Sequence, residues 1–168
     1  KLFREFQDTF SRANQFKDGT MDTTGGIKSY EMFETPAEFR DWLDKWYSVP
    51  PEKRPIIAVD IESTGLKHYA SNARVRTISF AWKEGVGRCI PIEWDYGGFT
   101  PLVKQFLEDP DTKQIYFNGK FDIQYMRGTL GIQVPGIVGD VMLMEYLTDP
   151  TRGAYGYKLK PLAQKYTT

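Results

Sequence analysis

Apolar residues recur at helical spacing soon after the polar start of the chain. Thr35 supplies an N-cap, and a proline at the first helical position and a capping-box glutamate follow it. Large apolar side chains then return every three or four positions, at Phe39, Trp42, Leu43 and Trp46. The pattern predicts an amphipathic helix that ends before Val49-Pro50-Pro51.

Continuous apolar runs in the middle of the chain are typical of buried strands. Residues 56–61 form the first run, and residues 75–82 and 88–92 form two more. The charged and glycine-rich residues 83–87 between the last two runs favour a hairpin turn. We therefore predict three consecutive antiparallel strands.

The second half of the chain alternates between strands and helices. Short apolar runs at 114–117 and 137–138 indicate strands, and helical spacing appears at 100–107, 121–130 and 141–147. A meander followed by alternating elements predicts an α/β fold, in which a mixed β-sheet is flanked by helices on both faces.

The length of 168 residues suits one domain, which we place at residues 29–168. Residues 1–28 are polar and rich in turn signals, so we expect a partly ordered lead-in there. The chain starts at Lys1 and not at a methionine, which suggests that it is a piece of a longer product.

Charge, cysteine content and hydropathy narrow the class of protein. The 22 basic and 22 acidic residues cancel, so any contact with nucleic acid must be local or mediated by a metal ion. The single cysteine, Cys89, excludes an internal disulfide and fits a reducing compartment. No apolar run approaches the roughly 20 residues of a membrane span, so we expect a cytoplasmic protein with no membrane contact.

The first candidate site is the pair Asp60 and Glu62 at the end of the first apolar strand. Side chains two apart in a strand point to the same face, so the two carboxylates lie side by side. Such a pair is costly unless a cation or proton neutralises it, and hard oxygen ligands suit Mg²⁺ or Mn²⁺. The alternative is an ordinary solvated strand end, which on the strand alone carries equal weight.

The second candidate site is the turn Asn118-Gly119-Lys120-Phe121-Asp122, where a strand gives way to a helix. Asp122 falls in the first helical turn, where it could simply stabilise the helix dipole. The preceding strand could instead end beside the strand that carries Asp60, where α/β folds gather their ligands. Three carboxylates would then converge.

These segments resemble the proofreading 3′-5′ exonuclease domain of family A DNA polymerases, within the DEDD exonuclease superfamily of ribonuclease H-like fold. The likeness extends from about Tyr30 to the end of the chain. Residues 59–66 resemble the first motif of the family and residues 118–122 the second. Residues 78–82, 90–92, 139–147 and 159–163 are also similar, in the same order and at similar spacing.

The resemblance implies a ribonuclease H-like mixed sheet and a metal-dependent hydrolysis. Asp60, Glu62 and Asp122 would be the catalytic residues and the ligands of a two-metal Mg²⁺ or Mn²⁺ site, with Glu62 also orienting the attacking water. The substrate would be the 3′ end of single-stranded DNA, the product a 5′ nucleotide, and the partner a polymerase domain in the same parent chain. Leu66, Asn118 and Phe121 would contact the 3′ end, although Leu66 and Phe121 could equally be core residues.

One part of the family pattern is missing. The family carries a third motif, in which a tyrosine or histidine precedes an aspartate by four residues, and no such pair follows Asp122. His68 has no partner at that spacing and is predicted to be a surface loop residue, while Asp140 is predicted to cap a helix. We therefore expect a C-terminally incomplete domain with one incomplete metal site and low or no activity.

Two other functions remain open on the sequence. One is a freestanding exonuclease that acts on RNA or on structured DNA ends, and the other is a non-catalytic DNA-binding or scaffolding domain. Basic residues near the motifs could meet phosphates and aromatic residues could stack on bases, although solvated surface and core packing are the commoner roles. These residues are Lys67, Arg74, Arg76, Lys120, Arg127, Tyr69, Trp94 and Tyr96.

Overall fold

The computed structural model describes residues 29–83, 85–94, 97–151 and 153–166, so the predicted lead-in 1–28 lies outside the described residues. The strands are β1 (Ser29–Met32), β2 (Ile57–Ser63), β3 (Val75–Lys83), β4 (Val86–Ile90), β5 (Gln114–Tyr116) and β6 (Ile137–Asp140). The helices are α1 (Pro36–Ser48), α2 (Phe99–Glu108), α3 (Lys120–Leu130), α4 (Val141–Thr148) and α5 (Leu159–Tyr166).

All six strands belong to one mixed sheet with the order β1-β4-β3-β2-β5-β6. Strands β2, β3 and β4 form the predicted antiparallel meander. On one side β5 and β6 add in parallel, and on the other side β1 pairs in parallel with β4. The predicted α/β fold with a mixed, helix-flanked sheet is confirmed.

The hairpin between β3 and β4 is tighter than the sequence suggested. The predicted strand 88–92 was wrong at both ends, because β4 starts at Val86 and Ile92 lies in a short 3₁₀ helix. Only residues 84–85 connect the two strands, and Gly85 has a φ of 71°, a conformation that glycine adopts without steric cost. Strand β1 was not predicted, because four residues at a sheet edge carry too little pattern.

Helix α1 begins as its sequence signals. The Thr35 hydroxyl accepts a hydrogen bond from the Glu38 backbone N–H at 3.3 Å. The Glu38 carboxylate reaches one residue beyond the usual capping box and accepts from the Glu34 N–H at 2.9 Å. These contacts satisfy N–H groups near the start of the helix and fix where α1 leaves the edge of the sheet.

The larger core lies between one face of the sheet and helices α1, α2 and α3. The rings of Trp42 and Phe80 are 5.2 Å apart, and Trp46 meets Phe106 edge-on at 5.5 Å. Ile57, Val59 and Ile61 of β2 also point into this cluster. We call this side of the sheet the first face.

A smaller cluster covers the opposite side, which we call the second face. It consists of Ala58, Ile115 and Val141, with Phe117 and Leu159 packed against it. Helices α4 and α5 therefore flank the second face, and β2 alternates between the two clusters. No helix in the described part of the chain is long and apolar enough to span a bilayer.

Candidate active site at the end of strand β2

Asp60 and Glu62 lie on the second face, as the alternation of β2 requires. Val59 and Ile61 are buried in the core of the first face, so their neighbours Asp60 and Glu62 point the other way. Asp60 is half-buried and Glu62 is exposed. The pair therefore stands where the sheet passes from its core to solvent.

Small side chains lie next to this pair on the same face. Ser79 is the partner of Asp60 in the sheet register, and Thr77 is the partner of Glu62. Cys89 is the next residue across, opposite Ser79. Burial raises the pKa of the Cys89 thiol, which keeps the thiol protonated and argues against a thiolate nucleophile. Small neutral neighbours leave the two carboxylates sterically accessible.

The sheet edge explains how Asp122 reaches β2. The Ile57 N–H faces β5 and donates to Lys113 O at 2.9 Å, and by the period of two the Ile61 N–H faces the same edge. Strand β5 ends at Tyr116, so it provides no partner for Ile61. The Asp122 carboxylate fills this position, where its Oδ1 accepts from the Ile61 N–H at 3.2 Å.

The three carboxylates interact electrostatically. Burial, followed by the charges of Asp122 and Glu62, raises the pKa of Asp60 well above its usual value. Burial also raises the pKa of Asp122 to about 7, against the lowering effect of the Ile61 hydrogen bond, and Asp122 is only 4% exposed. Buried, mutually repelling carboxylates must bind protons or a cation to be stable together.

The donor chemistry fits a hard divalent cation, since all three side chains offer carboxylate oxygens. The geometry is open, because no three acidic, histidine or cysteine side chains among the described residues are arranged to hold a metal ion as they stand. One oxygen of Asp122 is already bonded to the β2 backbone. A cation would therefore need ligands beyond those that the described residues hold in place.

The loop that follows β2 is braced from within. The Thr64 hydroxyl donates to Asn72 O at 3.2 Å and accepts from the Arg74 N–H at 3.0 Å. A backbone hydrogen bond from Thr64 N to Arg74 O closes the loop at 3.0 Å. Leu66 is 86% exposed in this loop, so it is not a core residue. The loop presents an apolar side chain to solvent on a fixed frame.

The second motif forms a sharp turn between β5 and α3. Asn118 is exposed and has a φ of 55°, a left-handed conformation that asparagine tolerates better than most residues. Phe121 is half-buried, and its ring lies 5.4 Å from that of Tyr125. Asn118 thus faces solvent, whereas Phe121 contributes to packing at the start of α3.

The basic residues near the motifs divide into two groups. The Arg74 guanidinium donates to the carbonyls of Ser71 and Ala73, and Arg76 pairs with Glu93 at 2.9 Å. The other three are Lys67, Lys120 and Arg127, and all five residues are exposed. The first group nevertheless braces the local structure, and the second is accessible to a ligand.

The remaining residues that the sequence singled out have distinct surroundings. Tyr69 is 74% exposed, whereas the half-buried His68 ring lies 5.4 Å from Tyr69 and 6.4 Å from Tyr125. The side chain of Trp94 and all of Tyr96 lie outside the described residues. Asp140 caps α4 as predicted, but it also contacts the second motif, which nothing in the spacing of the sequence signals.

Known proteins resemble this chain in sequence and in fold. Residues 30–168 match the family model described as 3′-5′ exonuclease. DNA polymerase I of Pseudomonas aeruginosa is 31% identical over 147 residues, which cover 82% of this chain. The solved structure of the polymerase domain of Pol1 from M. smegmatis, in complex with DNA primer-template and dNTP, is similar with a TM-score of 0.66 at 22% identity over 82% of this chain.

A smaller protein shows the same fold. NrnC of Brucella melitensis, solved bound to pGG, has a TM-score of 0.59 at 17% identity, and the match covers 82% of this chain and 59% of NrnC. The chain spans only 15% of the length of the Pseudomonas polymerase and 22% of the mycobacterial polymerase chain.

Proposed function

Because the chain belongs to the 3′-5′ exonuclease family of family A DNA polymerases, we propose that it hydrolyses the 3′-terminal phosphodiester of single-stranded DNA during proofreading. This proposal rests on the clustering of Asp60, Glu62 and Asp122 at one end of the sheet, where burial, followed by the charges of neighbouring carboxylates, raises the pKa of both aspartates. Perturbed carboxylates that cluster in this way are typical of catalytic sites.

Asp60, Glu62 and Asp122 are the residues that would hold Mg²⁺ or Mn²⁺. When bound, the cations supply Lewis-acid stabilisation of the attacking and leaving oxygens. Deprotonated carboxylates are the required ligands, so the raised pKa values make cation binding compete with protons. We therefore expect the affinity for Mn²⁺ to rise with pH through about 7, the pKa of Asp122.

The other site residues have roles that follow from their surroundings. Glu62 is exposed, so its carboxylate can accept a hydrogen bond from the attacking water. Leu66 stands out from its braced loop, where it can pack against the terminal base. Asn118 and Phe121 belong to the turn that delivers Asp122, and in this proposal they contact the 3′ end.

We also propose that the chain works beside a polymerase domain in the same parent protein. The support is its likeness to one part of much longer polymerases. In such an arrangement the exonuclease would receive a 3′ end that the polymerase releases. The 168 residues alone would then be weakly active or inactive, because the open set of ligands lacks the third motif.

The likeness to NrnC favours one second candidate, a freestanding exonuclease that acts on RNA or on structured DNA ends. The two candidates differ in substrate and not in chemistry. Assays with single-stranded DNA, a hairpin DNA and a single-stranded RNA of equal length separate them. Trimming of RNA or of the hairpin at least as fast as single-stranded DNA would favour the second candidate.

The test of the proposed function is 3′ trimming of 5′-labelled single-stranded DNA by the full-length parent, beside the 168-residue chain, with Mn²⁺ or EDTA. We expect the parent to release nucleotides only with Mn²⁺ and the double variant Asp60→Ala with Asp122→Ala to lose on the order of 10²-fold or more. Asp41→Ala with Asp44→Ala, two exposed acids on α1, is the matched control. Equal activity of both double variants rejects the assignment, and inactivity of every parent form favours a non-catalytic domain.

A further inference from the structure

Asp140 accepts more hydrogen bonds than a helix cap needs. Its Oδ1 accepts from the Met142 N–H at 3.0 Å and the Leu143 N–H at 3.3 Å, which is ordinary capping of α4. The same carboxylate also accepts from two amides that lie 22 and 21 positions earlier in the chain. These are the Asn118 N–H, at 3.1 Å from Oδ1, and the Gly119 N–H, at 2.8 Å from Oδ2.

The turn at Asn118-Gly119 has no cap of its own. Gly119 is the N-cap residue of α3, and no side chain there accepts a hydrogen bond. A side chain cannot be added, because a Cβ at Gly119 would overlap Tyr116 Cβ and lie 2.7 Å from Tyr116 Cγ. Gly119 therefore cannot cap the helix with a side chain of its own, and the acceptor for its N–H comes from another element. Asp140 supplies it.

This turn determines where Asp122 lies. Helix α3 starts with hydrogen bonds from Phe121 N to Asn118 O at 3.2 Å and from Ile123 N to Gly119 O at 2.9 Å. Asp122 lies between these two donors, and its Oδ1 must meet the Ile61 N–H on β2. A shift of the turn would carry Asp122 away from Asp60 and Glu62.

We propose that Asp140 is a positioning residue, which joins the start of α4 to the second motif and so holds Asp122 against β2. The inference deepens the proposed function and rests on it to the extent that Asp122 is a metal ligand. Asp140 touches neither substrate nor cation in this role. It acts through the backbone of Asn118 and Gly119.

Two substitutions of Asp140 separate its contacts with the turn at Asn118-Gly119 from its capping of α4. Asp140→Ser keeps a good N-cap residue for α4 but is too short to reach Asn118 and Gly119 as well. Asp140→Asn retains the contacts of Oδ1 and loses the acceptor for Gly119. Both remove the same charge, so a purely electrostatic effect on cation binding is equal in the two. Loss of the turn contacts is greater in Asp140→Ser.

Thr35→Ala is the matched control, because it removes the N-cap of α1, a helix on the first face. Two readouts are needed on the 168-residue chain, namely amide hydrogen exchange by NMR and the affinity for Mn²⁺, with thermal unfolding alongside. Stability falls in any variant that loses a cap. Exchange at Gly119, and a difference in Mn²⁺ affinity between the two Asp140 variants, respond only if Asp140 holds the turn.

We expect exchange at Asn118 and Gly119 to accelerate at least ~10-fold in Asp140→Ser, and Mn²⁺ binding to weaken ~10–100-fold, as for other residues that orient metal ligands. Asp140→Asn should accelerate exchange at Gly119 alone and weaken Mn²⁺ binding less, whereas Thr35→Ala should change neither. Unchanged exchange in both Asp140 variants, or equal loss of Mn²⁺ affinity in the two, would overturn the inference. If Asp140→Ser does not fold, exchange at Gly119 in Asp140→Asn decides.

A third variant, Asp122→Ala, distinguishes a failure of the proposed metal site from a failure of the positioning role of Asp140. If Asp122→Ala binds Mn²⁺ as tightly as the unsubstituted chain, the proposed metal site is wrong, while amide exchange still shows whether Asp140 holds the turn. If Asp122→Ala abolishes binding and the Asp140 variants change neither readout, the metal site stands and the positioning role fails.

Discussion

At the level of single residues, the burial of Asp122 opposes the ionisation that its proposed role as a metal ligand requires. It is almost fully buried, and burial raises its pKa from 3.8 to about 7. Between those values the folded chain holds a proton that the unfolded chain has lost. Without a cation, this group therefore stabilises the fold least above about pH 7.

Asp122→Asn removes the titration and keeps an oxygen that can accept from the Ile61 N–H. From pH 5 to pH 8 the unsubstituted chain should lose stability that the variant keeps, so the free energy of unfolding of the variant minus that of the unsubstituted chain should increase by up to about 3 kcal/mol, at roughly 1.4 kcal/mol per pH unit. Urea unfolding in EDTA at the two pH values measures it. A difference between the two proteins that does not change with pH would contradict the raised pKa.

The placement of Asp60 and Glu62 on one face of the sheet is the part of the site that the sequence predicted best. Asp60 and Glu62 share a face because a strand alternates, which needs no knowledge of the tertiary structure. The contact between Asp122 and Ile61 was not predictable in detail, because it depends on β5 being only three residues long and ending at Tyr116. The role of Asp140 at Asn118 depends on a contact across more than twenty residues.

At the level of elements, the loop of residues 64–74 is the segment that carries the proposed contact of Leu66 with a base. Thr64 and Arg74 close it, while Leu66 stays exposed. A rigid loop loses little conformational entropy when a ligand binds, so an exposed apolar side chain on it suits contact with a base. The loop is also attached to the core through the Thr64 and Tyr125 hydroxyls, which lie 3.4 Å apart.

Leu66→Ala should lower the trimming rate of the full-length parent several-fold while the stability of the 168-residue chain changes by less than about 0.5 kcal/mol, because an exposed side chain is removed. Leu147→Ala is the matched control, since Leu147 on α4 is 80% exposed. Trimming on single-stranded DNA and thermal unfolding are the two measurements. Equal rates for both variants would remove Leu66 from the substrate site.

The prediction of elements succeeded where periodicity was long and failed where it was short. An N-cap residue and four apolar residues at helical spacing predict helix α1, and it forms over Pro36–Ser48. Strand β1 has four residues and a pairing that only the folded sheet reveals. The start of β4 was missed because residues 83–87 were all assigned to the turn. The positive φ of Gly85 makes the turn shorter, so β4 already begins at Val86.

For the molecule as a whole, the two faces of the sheet differ in the size of their cores and in where the carboxylates lie. Helices α1, α2 and α3 bury a large aromatic core on the first face, which supports the fold. The second face has a smaller cluster and carries Asp60 and Glu62. This asymmetry allows carboxylates that destabilise one another to persist, because the opposite face supplies most of the burial.

If Asp60, Glu62 and Asp122 act together as ligands of a divalent cation, as proposed, titration of the 168-residue chain with Mn²⁺ should detect the binding. Calorimetry at pH 6 and pH 8 should compare the unsubstituted chain with Asp122→Asn. We predict binding that tightens between pH 6 and pH 8 in the unsubstituted chain, as Asp122 loses its proton, and that is lost in the variant. No binding at either pH, or equal binding by both proteins, would contradict it.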